Sequence, residues 1–205
     1  MNYNEFLKQF KDLRIFSIND IRLIEPEFND LNLTLWNKKG YIIKIRNGWY
    51  TFADVNLKGL DYYLIANRIY NPSYISLELA FNHYGIIPEA VLTFTSVTTN
   101  KTMTFKTPFG EFKYHTVQPV LNWGYKLIEY ESQQIKMAEI EKAILDFLYL
   151  NPKKNNLKDF SGMRFDIDAI NSIINIDKLQ RYQKVFASDS LFTRLHIFLE
   201  YLKNA

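Results

Sequence analysis

Residues 31–53, LNLTLWNKKGYIIKIRNGWYTFA, decide how the chain is read. Two patterns follow one another here. Leu31, Leu35 and Trp36, with Phe28 just upstream, recur at helical spacing and predict a helix over roughly 27–39. Gly40 then follows Lys38 and Lys39, as expected at a helix C-terminus, where glycine relieves the backbone and cations meet the negative end of the dipole. Residues 41–46 are β-branched and partly alternating. Asn47-Gly48 is a strong two-residue hairpin signal, and residues 49–52 supply the return strand.

Working outward, Phe6, Leu7, Phe10 and Leu13 predict a first helix with one apolar face. Ser17 is a candidate N-cap for a second helix carrying Ile18, Ile21 and Ile24. Pro26 stops that helix and suits the first turn of the third. Three helices followed by a hairpin is the order of a winged helix-turn-helix, predicted over 1–53. Residues 54–58 read as a linker, and 54–205 as a second domain. In it, helices are expected at about 60–85, with Ser76 as a cap and Gly85 as a stop. Short runs rich in Thr, Val, Phe and Tyr at about 91–136 predict an antiparallel meander, and helices return over about 138–203. The expected fold class is therefore α+β, an N-terminal winged helix followed by a mixed domain with an antiparallel sheet and C-terminal helices.

Composition bounds the function. The chain has 205 residues, 47% of them hydrophobic, so it can bury a core and is not a disordered chain. It has no cysteine, which excludes disulfides, thiol nucleophiles, iron–sulfur clusters and Cys-ligated zinc. The first 14 residues carry mixed charge without an apolar stretch, which predicts no signal peptide. With no membrane span expected either, the predicted location is the cytoplasm. The net charge is only +3, but it is unevenly placed. Residues 31–53 hold four basic residues and no acid, whereas the rest holds 21 basic against 22 acidic.

Catalytic patterns are weak. His83, His115 and His196 are far apart and lack metal-ligand spacing, and no phosphate-binding glycine loop or nucleophile elbow is present. Asp166 and Asp168 form a DxD pair that also fits helix capping. Glu139 and Asp146 share one side of a predicted helix, as paired carboxylates or as a solvated face. No metal or cofactor is predicted. Nucleic-acid binding reads better. On the third helix Asn29, Asn32, Thr34, Asn37 and Lys38 are expected to face away from the core, where Asn can pair with adenine and Thr can touch a thymine methyl. Lys39, Lys44 and Arg46, with Asn47 at the hairpin turn, are expected to meet phosphates. A winged helix used for protein–protein contact is the alternative.

Three stretches carry a family resemblance. Residues 31–52 resemble the winged-helix region of the AbiEi-type abortive-infection antitoxins. Residues 65–117, with PSYISLE, YG-IPE and TSVTT in order, are similar to the central part of that family, and so is MAEIEKAILDFLYL at 137–150. The resemblance implies an antitoxin and autoregulatory repressor of a type IV system, binding inverted repeats in its own promoter. It also implies a nucleotidyltransferase toxin as functional partner, with no direct contact required. Tyr74, Ser76, Glu78, Ser96, Thr98 and Thr99 fall in the most family-like stretch and are expected either to form an antitoxin surface or to cap helices and close strand pairs. The alternative function is a winged-helix regulator without a toxin, its second domain binding a ligand or a protein.

Overall fold

The computed structural model describes residues 1–88, 92–131 and 133–204. It is a mixed α+β chain with a three-stranded antiparallel sheet, a six-stranded mixed sheet and C-terminal helices.

The N-terminal unit is built on local signals. Helix α1 (Tyr3–Phe10) opens in a capping box, Asn2 Oδ1 accepting the Glu5 N–H at 3.0 Å while the Asn2 N–H donates to Glu5 at 2.8 Å. Strand β1 (Phe16–Ser17) leads into α2 (Ile18–Ile24), where Ser17 and Asp20 form a second capping box. Strands β2 (Ile42–Arg46) and β3 (Trp49–Phe52) form the expected hairpin, with Gly48 at φ +80° in its turn. That φ is open to glycine at little cost. β1 joins β3, giving the order β1-β3-β2. The core is an aromatic cluster around fully buried Phe6, whose ring centroid lies 4.7–5.9 Å from those of Phe10, Phe16, Phe28, Trp36 and Phe52.

The third helix differs from its expectation. It is α3 (Leu31–Lys38), four residues shorter at its start. Asn29 Oδ1 accepts the Leu31 N–H at 3.0 Å, a side-chain turn that holds the segment after Pro26 outside the helix. Phe28 therefore does not set the helical phase. Leu33 and Trp36 are buried, whereas Leu31 and Leu35 are 67% and 51% exposed. Both sets have helical spacing, but they lie on opposite sides of the same cylinder.

The second unit begins with α4 (Leu60–Ile69), β4 (Ser73–Ile75) and α5 (Leu77–His83). Then come β5 (Thr93–Thr98), β6 (Met103–Thr107), β7 (Gly110–Thr116), β8 (Tyr125–Tyr130) and β9 (Gln133–Ala138). The expected antiparallel meander is corrected to a mixed sheet of order β6-β7-β5-β4-β9-β8, in which β5–β7 and β4–β9 are parallel. Thr99-Asn100 does not close a β5–β6 hairpin. Asn100 instead donates from Nδ2 to the Asn71 carbonyl at 3.0 Å, and Thr116 Oγ1 donates to the Asn100 carbonyl at 2.6 Å. The chain thus crosses over, and β7 rather than β6 lies beside β5. Val91, where the strands were expected to begin, lies outside the described residues.

Helix α6 (Ile140–Leu150) packs against α5 and is buried nearly all round. It is covered in turn by α9 (Ile176–Val185) and α10 (Asp189–Asn204), with α7 (Leu157–Ser161) and α8 (Ile167–Ile173) between. Ile170, Leu179, Leu191, Leu195, Phe198 and Leu202 are buried, as their spacing predicts, whereas Ile167, Ile174, Tyr182 and Leu199 of the same predicted faces are half-buried.

The two units share a seam. Ile15 and Ile45 of the first unit sit in the hydrophobic core of the second. Arg14 grips buried Asp61 with two bonds, Nε to Oδ1 at 2.6 Å and Nη2 to Oδ2 at 2.7 Å. Asp61 also accepts from the Lys58 N–H and the Tyr130 hydroxyl.

Candidate nucleic-acid interface

Helical geometry advances 100° per residue, so Leu31, Thr34, Leu35 and Lys38 share one side of α3. All four are exposed, and that side faces away from buried Leu33 and Trp36. The remaining residues expected to read DNA are placed differently. Asn29 is exposed but spends its carbonyl on the turn before α3. Asn32 is half-buried, with its amide 3.4 Å from the Met1 carbonyl. Asn37 accepts the Lys44 N–H at 2.9 Å and so ties α3 to β2. Lys39 is exposed beside the Tyr41 ring, with 5.9 Å from Nζ to centroid. Lys44 and Asn47 are exposed on the hairpin.

Arg46 is a correction. It was expected to reach phosphate from the hairpin, but its guanidinium is turned into the seam. Nη1 donates to the Ile69 carbonyl at 2.6 Å, and the group lies 3.6 Å from the Phe105 ring centroid and 5.7 Å from that of Tyr70. Ile69 ends α4, so its carbonyl is one of the unpaired acceptors at the negative end of a helix, where a cation is stabilised. The aromatic rings add a cation–π contact. The hairpin end is therefore docked, and the open basic positions of residues 31–53 are Lys38, Lys39 and Lys44.

Of the two readings of the residues at 74–99, an antitoxin surface or a structural role, burial favours the structural one. Tyr74, Ser76, Ser96 and Thr98 are buried, Glu78 and Thr99 half-buried. Tyr74 and Ser76 both donate to Asp146 Oδ2 at 2.9 Å. Lys142, one helical turn before Asp146, bonds its other carboxylate oxygen and donates to the Tyr74 hydroxyl at 2.7 Å. The Lys142 ammonium is ringed by Tyr74, Trp123 and Phe186, at 5.0–5.6 Å from the ring centroids. Burial pushes the Asp146 carboxyl up and the Lys142 ammonium down, and their mutual attraction opposes both shifts. Burial also raises the Tyr74 hydroxyl well above its ordinary value. The PSYISLE and EKAILD stretches are thus two halves of one interior network.

Glu139 and Asp146 do not share a cleft. Glu139 accepts from Tyr182 at 2.6 Å and pairs with Lys178 at 2.9 Å, fastening α9 to α6. Asp166 caps α8 through the Ala169 N–H at 2.9 Å, as its position suggests. Among the described residues no cluster of three or more His, Asp or Glu is placed to hold a metal.

A cleft of about 650 Å³ lies on the β5–β7 face. Glu78, Thr93, Glu111, Lys113 and His115 supply its polar groups, and Leu77 and Met163 are among its apolar walls. Burial, with Lys113 nearby, lowers the His115 imidazole below its ordinary value. Leu77 is buried at φ +61°, a conformation costly for a non-glycine residue. It is held there by Thr95, whose hydroxyl donates to the Ser76 carbonyl at 2.9 Å and accepts the Leu79 N–H at 3.1 Å.

No protein-family model matches the chain, and no curated protein matches it. Among the described residues no helix is long and apolar enough to cross a membrane.

Proposed function

We propose that the chain is a cytoplasmic DNA-binding antitoxin and autoregulatory repressor of a type IV toxin–antitoxin system. Its N-terminal unit acts as a winged helix-turn-helix on inverted repeats of promoter DNA. The whole chain counteracts a nucleotidyltransferase toxin without needing to touch it. The observation that carries the DNA part is the free side of α3. Leu31, Thr34, Leu35 and Lys38 are exposed together, Lys44 is exposed on the adjoining β2, and residues 31–53 contain no acid. Leucine and threonine side chains suit thymine methyl groups, and the lysines suit phosphate. The antitoxin part rests on the likeness of residues 65–117 and 137–150 to the AbiEi type.

Gel-shift titration against the DNA upstream of the gene, over a salt series, tests the face. Replacing Lys38 and Lys44 together with Ala should weaken binding and flatten the salt dependence by about two counterions. Unchanged binding would remove this face from the proposal. Arg46→Ala should act through the seam, lowering stability more than it changes the salt slope. Co-expression with the neighbouring gene product, scoring growth, tests the antitoxin part.

A second reading, a regulator whose 54–205 unit takes a ligand, draws on the 650 Å³ cleft and its strained Leu77 rim. Saturable ligand binding that alters DNA affinity, with no toxic neighbouring gene, would favour it.

A further inference from the structure

The six-stranded sheet is split. β4 and β9 run parallel, yet their ladder has a single residue pair, Ile75 with Met137. Continuing that register toward the strand starts would set Ser73 beside Ile135, but the strands have already parted. The Lys136 N–H, which a full ladder would give to a strand, is instead taken by Asn67 Oδ1 at 2.5 Å. A cleft of about 530 Å³ lies there, with Ser73, Lys136 and Trp49 of the hairpin in its lining.

The groups around it are unusually uncommitted. With Asn67 Oδ1 held by the strand, the amide orientation is set, and Nδ2 has no partner. Asn67 is 8% exposed. A buried donor left unpaired is costly, so an acceptor that displaces the groups covering it is favoured. Lys136 has no carboxylate at ion-pair distance among the described residues, and its ammonium rests 5.5 Å from the Tyr125 ring centroid. Arg68 gives one bond to Gln133 Oε1 at 2.7 Å and retains further donors. The carboxylate in the lining, Glu129, is engaged by the Gln134 amide at 2.6 Å. Trp49 is half-buried and supplies an indole at the rim.

We propose that this split binds a small anion of nucleoside-monophosphate chemistry, a planar base carrying a phosphate. The base stacks on Trp49, a ring acceptor meets the Asn67 amide, and Lys136 with Arg68 holds the phosphate. Stacking, one directed donor and two cations are complementary to that combination of parts. A cleft of this volume lies within the range of small-molecule sites. The site is separate from the free side of α3, and the proposal stands whether or not the chain binds DNA.

Isothermal titration of the full chain with AMP, GMP, CMP and UMP, with the matching nucleosides, and with inorganic phosphate tests it. At least one nucleotide should bind saturably, about tenfold or more tightly than its nucleoside or phosphate alone. Lys136→Gln should weaken that binding by about tenfold while leaving thermal unfolding unchanged. Trp49→Phe should retain it and Trp49→Ala should lose it. Because Trp49→Ala removes a side chain that packs on the core, Lys136→Gln decides if that variant fails to fold. Absence of saturable binding by any nucleotide at millimolar concentration overturns the proposal. So does phosphate binding as tightly as the nucleotide, or nucleotide binding unaffected by Lys136→Gln.

Discussion

The two units handle polarity in opposite ways. In the first, the core is an aromatic cluster around Phe6, and every charged side chain remains at least partly accessible. Its lysines lie outside, on or beside α1, α3 and β2. In the second, Asp61, Lys142, Asp146, Glu141 and Arg194 are buried, and each has a specific partner. One unit presents charge, and the other locks it inside. The difference teaches where to look for a working surface. Exposed polar residues on a plain apolar core are free to meet a partner. Distinctive polar residues threaded through an apolar helix are already occupied.

The comparison breaks first at Asp146. Asp146→Ala leaves the Lys142 ammonium buried without its carboxylate and should cost about 3–5 kcal/mol by urea denaturation. Replacing both residues with apolar side chains, Lys142→Met with Asp146→Leu, should recover much of that loss. Phe6→Ala, which empties the centre of the aromatic cluster, should cost about 3–4 kcal/mol. That cost is cavity and lost packing, with no electrostatic part, so it should be nearly independent of pH.

Arg14→Met probes the seam and should cost about 2 kcal/mol, since Asp61 keeps two of its bonds. Here pH has a definite sign. Burial alone would raise the Asp61 carboxyl, but Arg14, the Lys58 N–H and Tyr130 hold it below its ordinary value. Its contribution is then full above about pH 4, the ordinary carboxylate range, and is lost as pH falls through the lowered folded value. Asp61→Asn should flatten that acid limb in a stability-versus-pH series. The smallest effect belongs to the free side of α3. Leu31→Gln should change stability by less than about 0.5 kcal/mol, and any larger change would mean that this side is packed.

Local signals were legible in the sequence. The Ser17 cap, the Asn47-Gly48 turn, the Gly85 stop and the Phe6–Phe10 stripe all depend on neighbours within four residues, and each is found in place. What depended on distant partners was not. The Leu31–Leu35 and Leu33–Trp36 sets fit a helix equally well, and only docking onto Phe6 and Phe28 selects the second. β4 is three residues long and carries no alternating pattern, so the strand that joins β5 to β9 left no trace. Lys142 and Asp146 were the missed signal. A charged i,i+4 pair inside the otherwise apolar KAILDFLYL run points to burial, but a surface ion pair has the same spacing. Arg46 was misplaced for a related reason, because the carbonyl that captures it belongs to a helix ending 23 residues later.

The seam also sets how the molecule comes apart. Ile15 and Ile45 fill the second unit's core, Arg14 neutralises its buried Asp61, and Arg46 closes the end of α4. Neither unit can open without exposing part of the other. Heating should therefore produce one calorimetric transition whose van't Hoff and calorimetric enthalpies agree. Cutting the chain after Ala53 would leave a hole where Ile15 and Ile45 packed and an unpaired carboxylate at Asp61. Single-residue changes on α3, rather than removal of the first 53 residues, are the clean way to silence one unit while keeping the other intact.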